Sequence, residues 1–274
     1  MTDMRIAFIG TGNMNGAILE GALKAGVSKD SVVVTTRSAE SAEAWSKNQG
    51  IEALSQQEDE RANLRAVSGA DVVLMGVKPH MMVEVLTELA PELKPDAVVV
   101  SIAAAVSVEQ LEAVVSAGQP VVRTMPNTPL QYGSGVVGLV RGTNATDEHV
   151  RAVSQIFEGA GRVFEIPESQ IDALTAVSGS GPAYAFFLAE AMAKGGVELG
   201  LDPKFARELA AATVAGAGAM LAQDEREPAE LRRAVTSPGG TTEAAINTMA
   251  AEGFSEAVVA GQKACADRAA EMAG

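Results

Sequence analysis

Near the amino terminus the chain reads Arg5-Ile6-Ala7-Phe8-Ile9-Gly10-Thr11-Gly12-Asn13-Met14-Asn15-Gly16. An apolar, strand-like run leads directly into a glycine-rich turn, and a helical segment follows. Glycines in such a turn let the backbone approach a pyrophosphate, which then lies at the helix N-terminus. Asn15 stands where the usual pattern has its third glycine. We predict a dinucleotide-binding turn; an ordinary glycine-rich strand-to-helix turn is the alternative.

Short apolar runs alternate with helical segments throughout residues 1–166. The runs show little polar alternation, as expected of strands covered on both faces. Strands are predicted at residues 5–9, 31–35, 71–75, 97–100, 120–124, 135–140 and 162–166. The order predicts an α/β domain with a doubly wound, Rossmann-type parallel sheet.

Residues 167–274 show a different pattern, rich in Ala, Leu, Glu and Met at helical spacing. Breaks fall at residues 179–182, 200–203, 228 and 237–240. We predict an all-helical C-terminal domain for substrate binding. Its many small residues favour close helix packing or packing against a second subunit.

Composition excludes several classes of function. The 274 residues carry 21 basic and 35 acidic side chains, a net charge of −14, so a broad nucleic-acid surface is not expected. Cys265 is the single cysteine, which excludes an intrachain disulfide and fits a reducing cytoplasm. The longest uncharged apolar stretch, residues 174–189, is too short to span a bilayer. No cluster of metal-ligating residues is evident, so we expect no metal site.

The end of the second strand bears on cofactor choice. NAD enzymes usually place an Asp or Glu there for the ribose 2′-hydroxyl. This chain has Thr36-Arg37-Ser38 instead, and an Arg between two hydroxyls is suited to a 2′-phosphate. We predict NADP(H), with NAD(H) possible; a solvated loop carrying a stray Arg is the alternative.

Further motifs along nearly the whole chain resemble those of the pyrroline-5-carboxylate reductase family. They are Asn63, Val77-Lys78-Pro79, Ser101-Ile-Ala-Ala104, Met125-Pro-Asn-Thr-Pro129, Ser178-Gly-Ser-Gly-Pro-Ala-Tyr184 and Val235-Thr-Ser-Pro-Gly-Gly-Thr-Thr242. The resemblance implies reduction of the cyclic imine 1-pyrroline-5-carboxylate to L-proline, and dimers with interlocked C-terminal domains. Two residues depart from the family pattern: Ala105 stands where Gly is common, and Ala234 where an amide residue is common.

The resemblance and the turn together define a predicted cofactor-binding set. Asn63 is expected near the cofactor ribose, and Lys78 has the alternative of a solvated residue after a strand. The set comprises Ile9, Gly10, Thr11, Gly12, Asn13, Met14, Thr36, Arg37, Ser38, Asn63, Val77, Lys78, Pro79, Ala103 and Ala104.

The segment that runs from Ser237 into the following helix is the predicted substrate site. Paired glycines before a helix N-terminus expose amides that can bind a carboxylate. We therefore expect Ser237, Gly239, Gly240 and Thr241 to bind the substrate carboxylate. The resemblance implies that Thr242 contacts the ring nitrogen as the catalytic hydroxyl, and that Glu168 lies on the substrate side. A helix start with a Thr N-cap is the alternative.

Three other functions remain open from the sequence. One is reduction of a related cyclic imine, such as the six-membered homologue. Another is a β-hydroxyacid dehydrogenase, although Ala185 and Leu188 occupy the positions of that family's catalytic Lys and Asn. The third is an NADP-sensing protein without turnover, which has no need for residues 237–242.

Overall fold

The computed structural model describes residues 4–273. The first part of the chain forms an eight-stranded sheet. Its strands are β1 (Ile6–Ile9), β2 (Val32–Thr36), β3 (Glu52–Ser55), β4 (Val72–Met75), β5 (Val98–Ser101), β6 (Val121–Pro126), β7 (Gly135–Arg141) and β8 (Gly161–Glu165). The helices between them are α1 (Asn13–Lys24), α2 (Ala39–Gln49), α3 (Ala62–Val67), α4 (Pro79–Leu89), α5 (Val108–Glu112) and α6 (Asp147–Phe157).

The strand order is β3-β2-β1-β4-β5-β6-β7-β8, which confirms the doubly wound plan. Strands from β3 to β6 run parallel, and the order reverses between β1 and β4. In folds of this type ligands bind outside the carboxyl ends of the strands at that reversal. The fold therefore places the glycine turn after β1 at the expected binding edge.

Two details of the sheet differ from the prediction. β3 was not predicted, because the edge strand Glu52-Ala-Leu-Ser is short and begins with an exposed Glu. β7 runs antiparallel to β6, whereas a parallel sheet was expected. Only residues 127–134 connect these two strands, and a parallel crossover needs a dozen or more residues.

The sheet is covered on both faces. Ile6 and Phe8 of β1 face one core with α1 and α6, while Ala7 and Ile9 face the other with α4. All four residues are fully buried. Burial on both faces explains why β1 shows no polar alternation in sequence.

Helices alone follow β8 within the described residues, as predicted. They are α7 (Ile171–Leu174), a π-helical turn (Thr175–Gly179), α8 (Gly181–Glu198), α9 (Pro203–Gln223), α10 (Pro228–Ala234), α11 (Thr241–Ala251) and α12 (Phe254–Ala273). The predicted breaks are confirmed. The π-helical turn was not predicted; Gly253, whose φ is +79°, separates α11 from α12. Among residues 4–273 no helix combines the length and apolarity needed to cross a membrane.

The chain divides into two compact units. Residues 180–265 form one, and residues 4–179 form the other together with residues 266–273. The predicted domain boundary between residues 166 and 167 coincides with the end of the last strand but not with this division. It stays a prediction.

Candidate active site

The turn after β1 has the geometry of a pyrophosphate cradle. Gly10 has a φ of +74°, and a Cβ there would lie 3.2 Å from Val77 Cγ1. Gly12 is the N-cap of α1, no side chain caps the helix, and a Cβ at Gly12 would meet nothing within 4 Å. The first-turn amides of α1, from Asn13 onward, have no partner within the helix. The space outside Gly12 and these free amides fit a phosphate group.

The asparagine at position 15, where the usual motif has its third glycine, is accommodated by Gly76. Asn15 is buried, and its Nδ2 donates to Ile9 O at 3.2 Å. A Cβ at Gly76, just after β4, would collide with Asn15 Nδ2. Because Gly76 has no side chain, α1 can still pack closely against the end of β4 although residue 15 is an asparagine.

The three residues at the end of β2 have different surroundings. Thr36 is buried and its hydroxyl donates to Ser38 O at 2.9 Å. Ser38 Oγ accepts from Ser41 N as the N-cap of α2. Arg37 is exposed, and its guanidinium forms no ion pair with any residue between 4 and 273. A free guanidinium beside a helix N-terminus fits a 2′-phosphate.

Loops after β4 and β5 border the same edge of the sheet. Ile102 N donates to Met75 O at 3.3 Å, which ties the start of one loop to the end of β4. Lys78 is the N-cap of α4, with Pro79 at its first position. Ala103 is buried, Ala104 half-buried. The predicted residues after β1, β4 and β5 are therefore gathered at one edge.

Asn63 supplies a polar atom that the protein itself leaves unpaired. Its side chain is buried in α3, and its Oδ1 has no hydrogen-bond partner within the described residues. A buried acceptor without a partner is costly unless something donates to it. A hydroxyl of a bound cofactor would satisfy it, so this residue fits the predicted ribose contact.

Two residues near these elements were not among the predicted site residues. Trp45 lines a groove of about 660 Å³ with Gly12, Asn13 and Gln131. Its one signal in the sequence was that it is the chain's single tryptophan. Asn127 holds the π-helical turn, because its Nδ2 donates to Ser178 O and its Oδ1 accepts from Val136 N, both at 2.9 Å. No local pattern in sequence predicts those partners.

Glu168 lies in the sheet-containing unit and has protein partners. Its Oε1 accepts from Val108 N at 2.8 Å and from Arg123 Nη1 at 2.8 Å. Its side chain is 36% exposed, whereas that of Arg123 is 6% exposed. One carboxylate oxygen is therefore engaged within the protein, and the predicted role on the substrate side stays a prediction.

The N-terminus of α11 lies in the helical unit. Gly240 is the N-cap and no side-chain bond caps the helix, so the alternative of a Thr N-cap is wrong. Thr241 and Thr242 occupy the first two helical positions and are exposed, as is Ser237. Gly239 has a φ of +69°, which favours glycine. An open helix N-terminus with two neighbouring hydroxyls is suited to a small carboxylate.

Two of the three predicted donor amides at this turn have partners in the chain. Gly240 N donates to Ser237 O at 2.9 Å, and Gly239 N to Glu243 Oε2 at 2.8 Å. The first helical hydrogen bond runs from Ala244 N to Gly240 O at 3.2 Å. The amides of Thr241, Thr242 and Glu243 therefore have no partner within the helix. The amides free to bind a carboxylate are therefore those of the first turn of α11 rather than those of the two glycines.

Comparison with known proteins identifies the family. A family model described as pyrroline-5-carboxylate reductase dimerisation matches residues 168–272, and one described as NADP oxidoreductase, coenzyme F420-dependent, matches residues 5–105. A Pseudomonas aeruginosa protein named pyrroline-5-carboxylate reductase is 43% identical over 274 residues, which covers 100% of this chain and 98% of that protein. The chain belongs to the pyrroline-5-carboxylate reductase family.

Solved structures of pyrroline-5-carboxylate reductases agree. That of the Coxiella burnetii enzyme superposes with a TM-score of 0.93 at 32% identity, covering 100% of both chains. That of the Plasmodium falciparum enzyme, which has NADP bound, gives a TM-score of 0.84 at 26% identity, again covering 100% of both.

Family membership confirms several predictions at once. The chain is an NAD(P)H-dependent oxidoreductase, and NADP(H) is its cofactor; NAD(H) is not contradicted. The match to the dimerisation region confirms assembly into a homo-oligomer. The individual site residues stay predictions, and their roles are proposed below.

Proposed function

We propose that this pyrroline-5-carboxylate reductase binds its cofactor at the turn after β1 and its substrate at the N-terminus of α11. The reaction is reduction of 1-pyrroline-5-carboxylate to L-proline. The observation that carries the proposal is the open N-terminus of α11, where exposed hydroxyls adjoin amides free of helical partners. The proposed compartment is the cytoplasm, which the single cysteine supports.

NADPH supplies the hydride that reduces the imine carbon. The chain holds and orients it through groups described above. The α1 amides after Gly12 bind the pyrophosphate, Arg37 binds the 2′-phosphate, and Asn63 accepts from a ribose hydroxyl. Val77, Lys78, Pro79, Ala103 and Ala104 border it at the edge of the sheet.

The substrate carboxylate binds the amides of Thr241 and Thr242, with the positive end of the α11 dipole behind them. Ser237 contributes its exposed hydroxyl. Gly239 contributes its amide when the Glu243 carboxylate releases it, because two carboxylates a few ångströms apart repel each other. Gly240 shapes the turn: a Cβ there would lie 2.9 Å from Ser237 O.

The Thr242 hydroxyl is proposed to hydrogen-bond the ring nitrogen. As the imine carbon is reduced, the nitrogen receives the electron pair of the C=N π bond and takes up a proton, which the Thr242 hydroxyl relays from water. A hydroxyl that bonds the nitrogen more strongly in the transition state raises the catalytic rate. Thr242 is exposed at the second position of α11 and carries no capping bond, so its hydroxyl is available.

Thr242→Ala tests the proposal. We expect kcat to fall by ~10²–10⁴-fold, the usual range for general acid-base assistance, with NADPH binding unchanged. Thr242→Ser should retain most activity because it keeps the hydroxyl. Thr248→Ala is the matched control: Thr248 is exposed on the same helix and its hydroxyl bonds only to Ala244 O.

If Thr242→Ala turned over the imine at nearly the wild-type rate, the proposed role of the Thr242 hydroxyl would be contradicted. A wild-type protein that binds NADPH but does not turn over pyrroline-5-carboxylate would instead contradict the activity itself. Absorbance of NADPH at saturating substrate distinguishes the two outcomes.

A further inference from the structure

A glutamine from the loop after β3 reaches the end of β2, where the 2′-phosphate of the cofactor is proposed to bind. Ala39 N, the first amide of α2, donates to Gln57 Oε1 at 3.3 Å. The two residues lie 18 positions apart in sequence, and their contact is at the surface. A side chain from a second loop therefore lies at the turn that carries Arg37 and Ser38.

The backbone of this second loop is held at the same place. Ser55, the last residue of β3, is the partner of Thr36 in the β2–β3 register. Gln56 N donates to Thr36 O at 3.0 Å, and Gln57 N donates to Ser55 Oγ at 3.2 Å. Glu58 N donates to Ser55 O at 3.2 Å. The position of Gln57 beside α2 thus follows from strand pairing and a tight turn, and not from its own side chain alone.

The contact with Ala39 leaves the donor end of the carboxamide free. A backbone N–H only donates, so the atom that faces Ala39 N is the oxygen of Gln57. Nε2 is bonded to the same carbon, and neither of its two N–H groups has a partner among residues 4–273. The guanidinium of Arg37 at the same turn forms no ion pair within those residues either. Free N–H donors beside a free guanidinium suit the oxygens of a phosphate.

Capping of α2 alone does not account for a glutamine at this position. Ala39 N has no partner within the helix, so an acceptor there is ordinary. A carboxylate would be the better acceptor, because its charge also interacts favourably with the helix dipole. The next three residues, 58–60, are all acidic, yet the neutral side chain of Gln57 is the one that contacts the amide. Neutrality matters where a phosphate binds, because a carboxylate would repel it.

The same loop leads to another group proposed to bind the cofactor. It ends at α3, where Asn63 is buried with an unpartnered Oδ1. Asp59 fixes this end of the loop, because its carboxylate accepts from Arg61 N at 2.9 Å and pairs with Arg65 at 2.8 Å. Gln57 therefore belongs to an ordered segment with proposed cofactor contacts at both ends.

We infer that Gln57 is a specificity-determining residue for the phosphorylated cofactor. Its Oε1 accepts from Ala39 N, its Nε2 donates to the 2′-phosphate, and Arg37 neutralises the phosphate charge. A carboxylate at this position would repel the phosphate and accept from the 2′-hydroxyl of NADH, as the acid at the end of the second strand does in NAD enzymes. The inference rests on the proposed placement of the 2′-phosphate at Arg37.

Gln57→Glu tests the inference by an isosteric change. The carboxylate keeps an acceptor for Ala39 N, so urea unfolding should show equal or higher stability. The donor is lost and a negative charge is gained. We expect calorimetric titration to show an NADPH dissociation constant at least about tenfold higher than that of the wild type, because a hydrogen bond to a charged group is lost. The NADH dissociation constant should stay equal or fall.

Two further variants serve as controls. Gln56→Glu makes the same charge change at the preceding exposed residue, whose side chain forms no hydrogen bond within the described residues. Because charges in solvent are screened, it should weaken NADPH binding by less than about threefold. Gln57→Ala removes the donor without adding charge and should weaken NADPH binding roughly three- to tenfold with little effect on NADH. A purely structural role would weaken the binding of both cofactors alike.

Equal changes in NADPH and NADH affinity in Gln57→Glu, or no change in either, would overturn the inference. An equally large loss of NADPH affinity in Gln56→Glu would do the same. Arg37→Ala reports separately on the phosphate: if it weakens NADPH binding and Gln57→Glu does not, the placement stands and the role of Gln57 is wrong. If neither variant weakens it, both are contradicted. Absence of pyrroline-5-carboxylate turnover in the wild type contradicts the proposed activity alone, since the titrations need no substrate.

Discussion

Arg37 is the residue that we propose discriminates NADPH from NADH. It is exposed at the end of β2, where no carboxylate is present to bind a 2′-hydroxyl. Arg37→Ala should raise the KM for NADPH about tenfold or more, because a charge-assisted bond to phosphate is lost. The KM for NADH should change little. Equal effects on both cofactors, measured in parallel steady-state assays, would contradict this role.

Ala105 has a backbone conformation that is unfavourable for a residue with a Cβ. Its φ of +61° is reached readily by glycine, which the family commonly has at this position. Ala105→Gly should raise the free energy of unfolding by about 0.5–1 kcal/mol, since relief of left-handed strain exceeds the entropy cost of a glycine.

Urea denaturation measures this effect. Ala104→Gly is the control for stability, because residue 104 has a negative φ and the same exchange should lower stability there by about 0.5–1 kcal/mol. A loss of stability in both variants would show that residue 105 is not strained.

At the residue scale, the sequence predicted local turns better than it predicted which distant residues would contact them. Gly10 and Gly12 lie in the strand-to-helix turn that their motif predicts, because a short motif fixes its own backbone. The dependence of Asn15 on Gly76 was not predictable, since the two meet only through the parallel pairing of β1 with β4. The engagement of Gly239 N by Glu243 depends on one rotamer, which no pattern specifies.

At the scale of elements, strands and helices with strong patterns were predictable and those set by chain geometry were not. Helices α8 to α11 begin where Pro or Gly interrupts the pattern. The reversal of β7 follows from the length of its connection to β6, a property of the loop rather than of the strand. The π-helical turn depends on Asn127, which reaches it from 51 residues away in sequence.

The start of β4 carries a pH-dependent link between elements. Asp71 accepts from Arg5 N at 2.8 Å and forms an ion pair with Lys94. Burial alone would raise the pKa of Asp71, but the Lys94 and Arg5 hydrogen bonds outweigh burial and hold the pKa below its usual 3.8. A carboxyl with a lowered folded-state pKa stabilises the fold above pH 3.8, and this contribution is lost as the pH falls through the folded pKa.

Asp71→Asn should therefore destabilise the protein at pH 7 and flatten the decline in stability below about pH 4. Urea unfolding at a series of pH values measures both effects. Asp30→Asn, at an exposed carboxyl, is the control and should leave the decline in stability at acid pH unchanged. An unaltered decline in Asp71→Asn would show that the ion pair contributes nothing to it.

At the scale of the whole molecule, we expect residues 180–265 to depend on a partner for their stability. Within this range only Ala206, Ala210 and Leu231 are buried. α8 has no buried residue, and its Phe186 and Phe187 are 69% and 72% exposed. A unit of this size that buries so little apolar surface requires a partner, which agrees with the family's dimerisation region at residues 168–272.

The face to be covered is the apolar groove between α8 and α12, about 670 Å³, lined by Tyr184, Phe187, Leu188, Phe254 and Val258. Phe187→Glu would place a charge in that groove, and burying an unpaired carboxylate against a second subunit costs several kcal/mol. We expect sedimentation at micromolar concentration to show a stable oligomer for the wild type and dissociation for Phe187→Glu, with loss of thermal stability. Lys194→Glu, on the same helix but outside the residues that line the groove, should remain oligomeric. A wild-type protein that sediments as a stable, active monomer would mean that these aromatic side chains remain in water, and the groove would then need a different occupant.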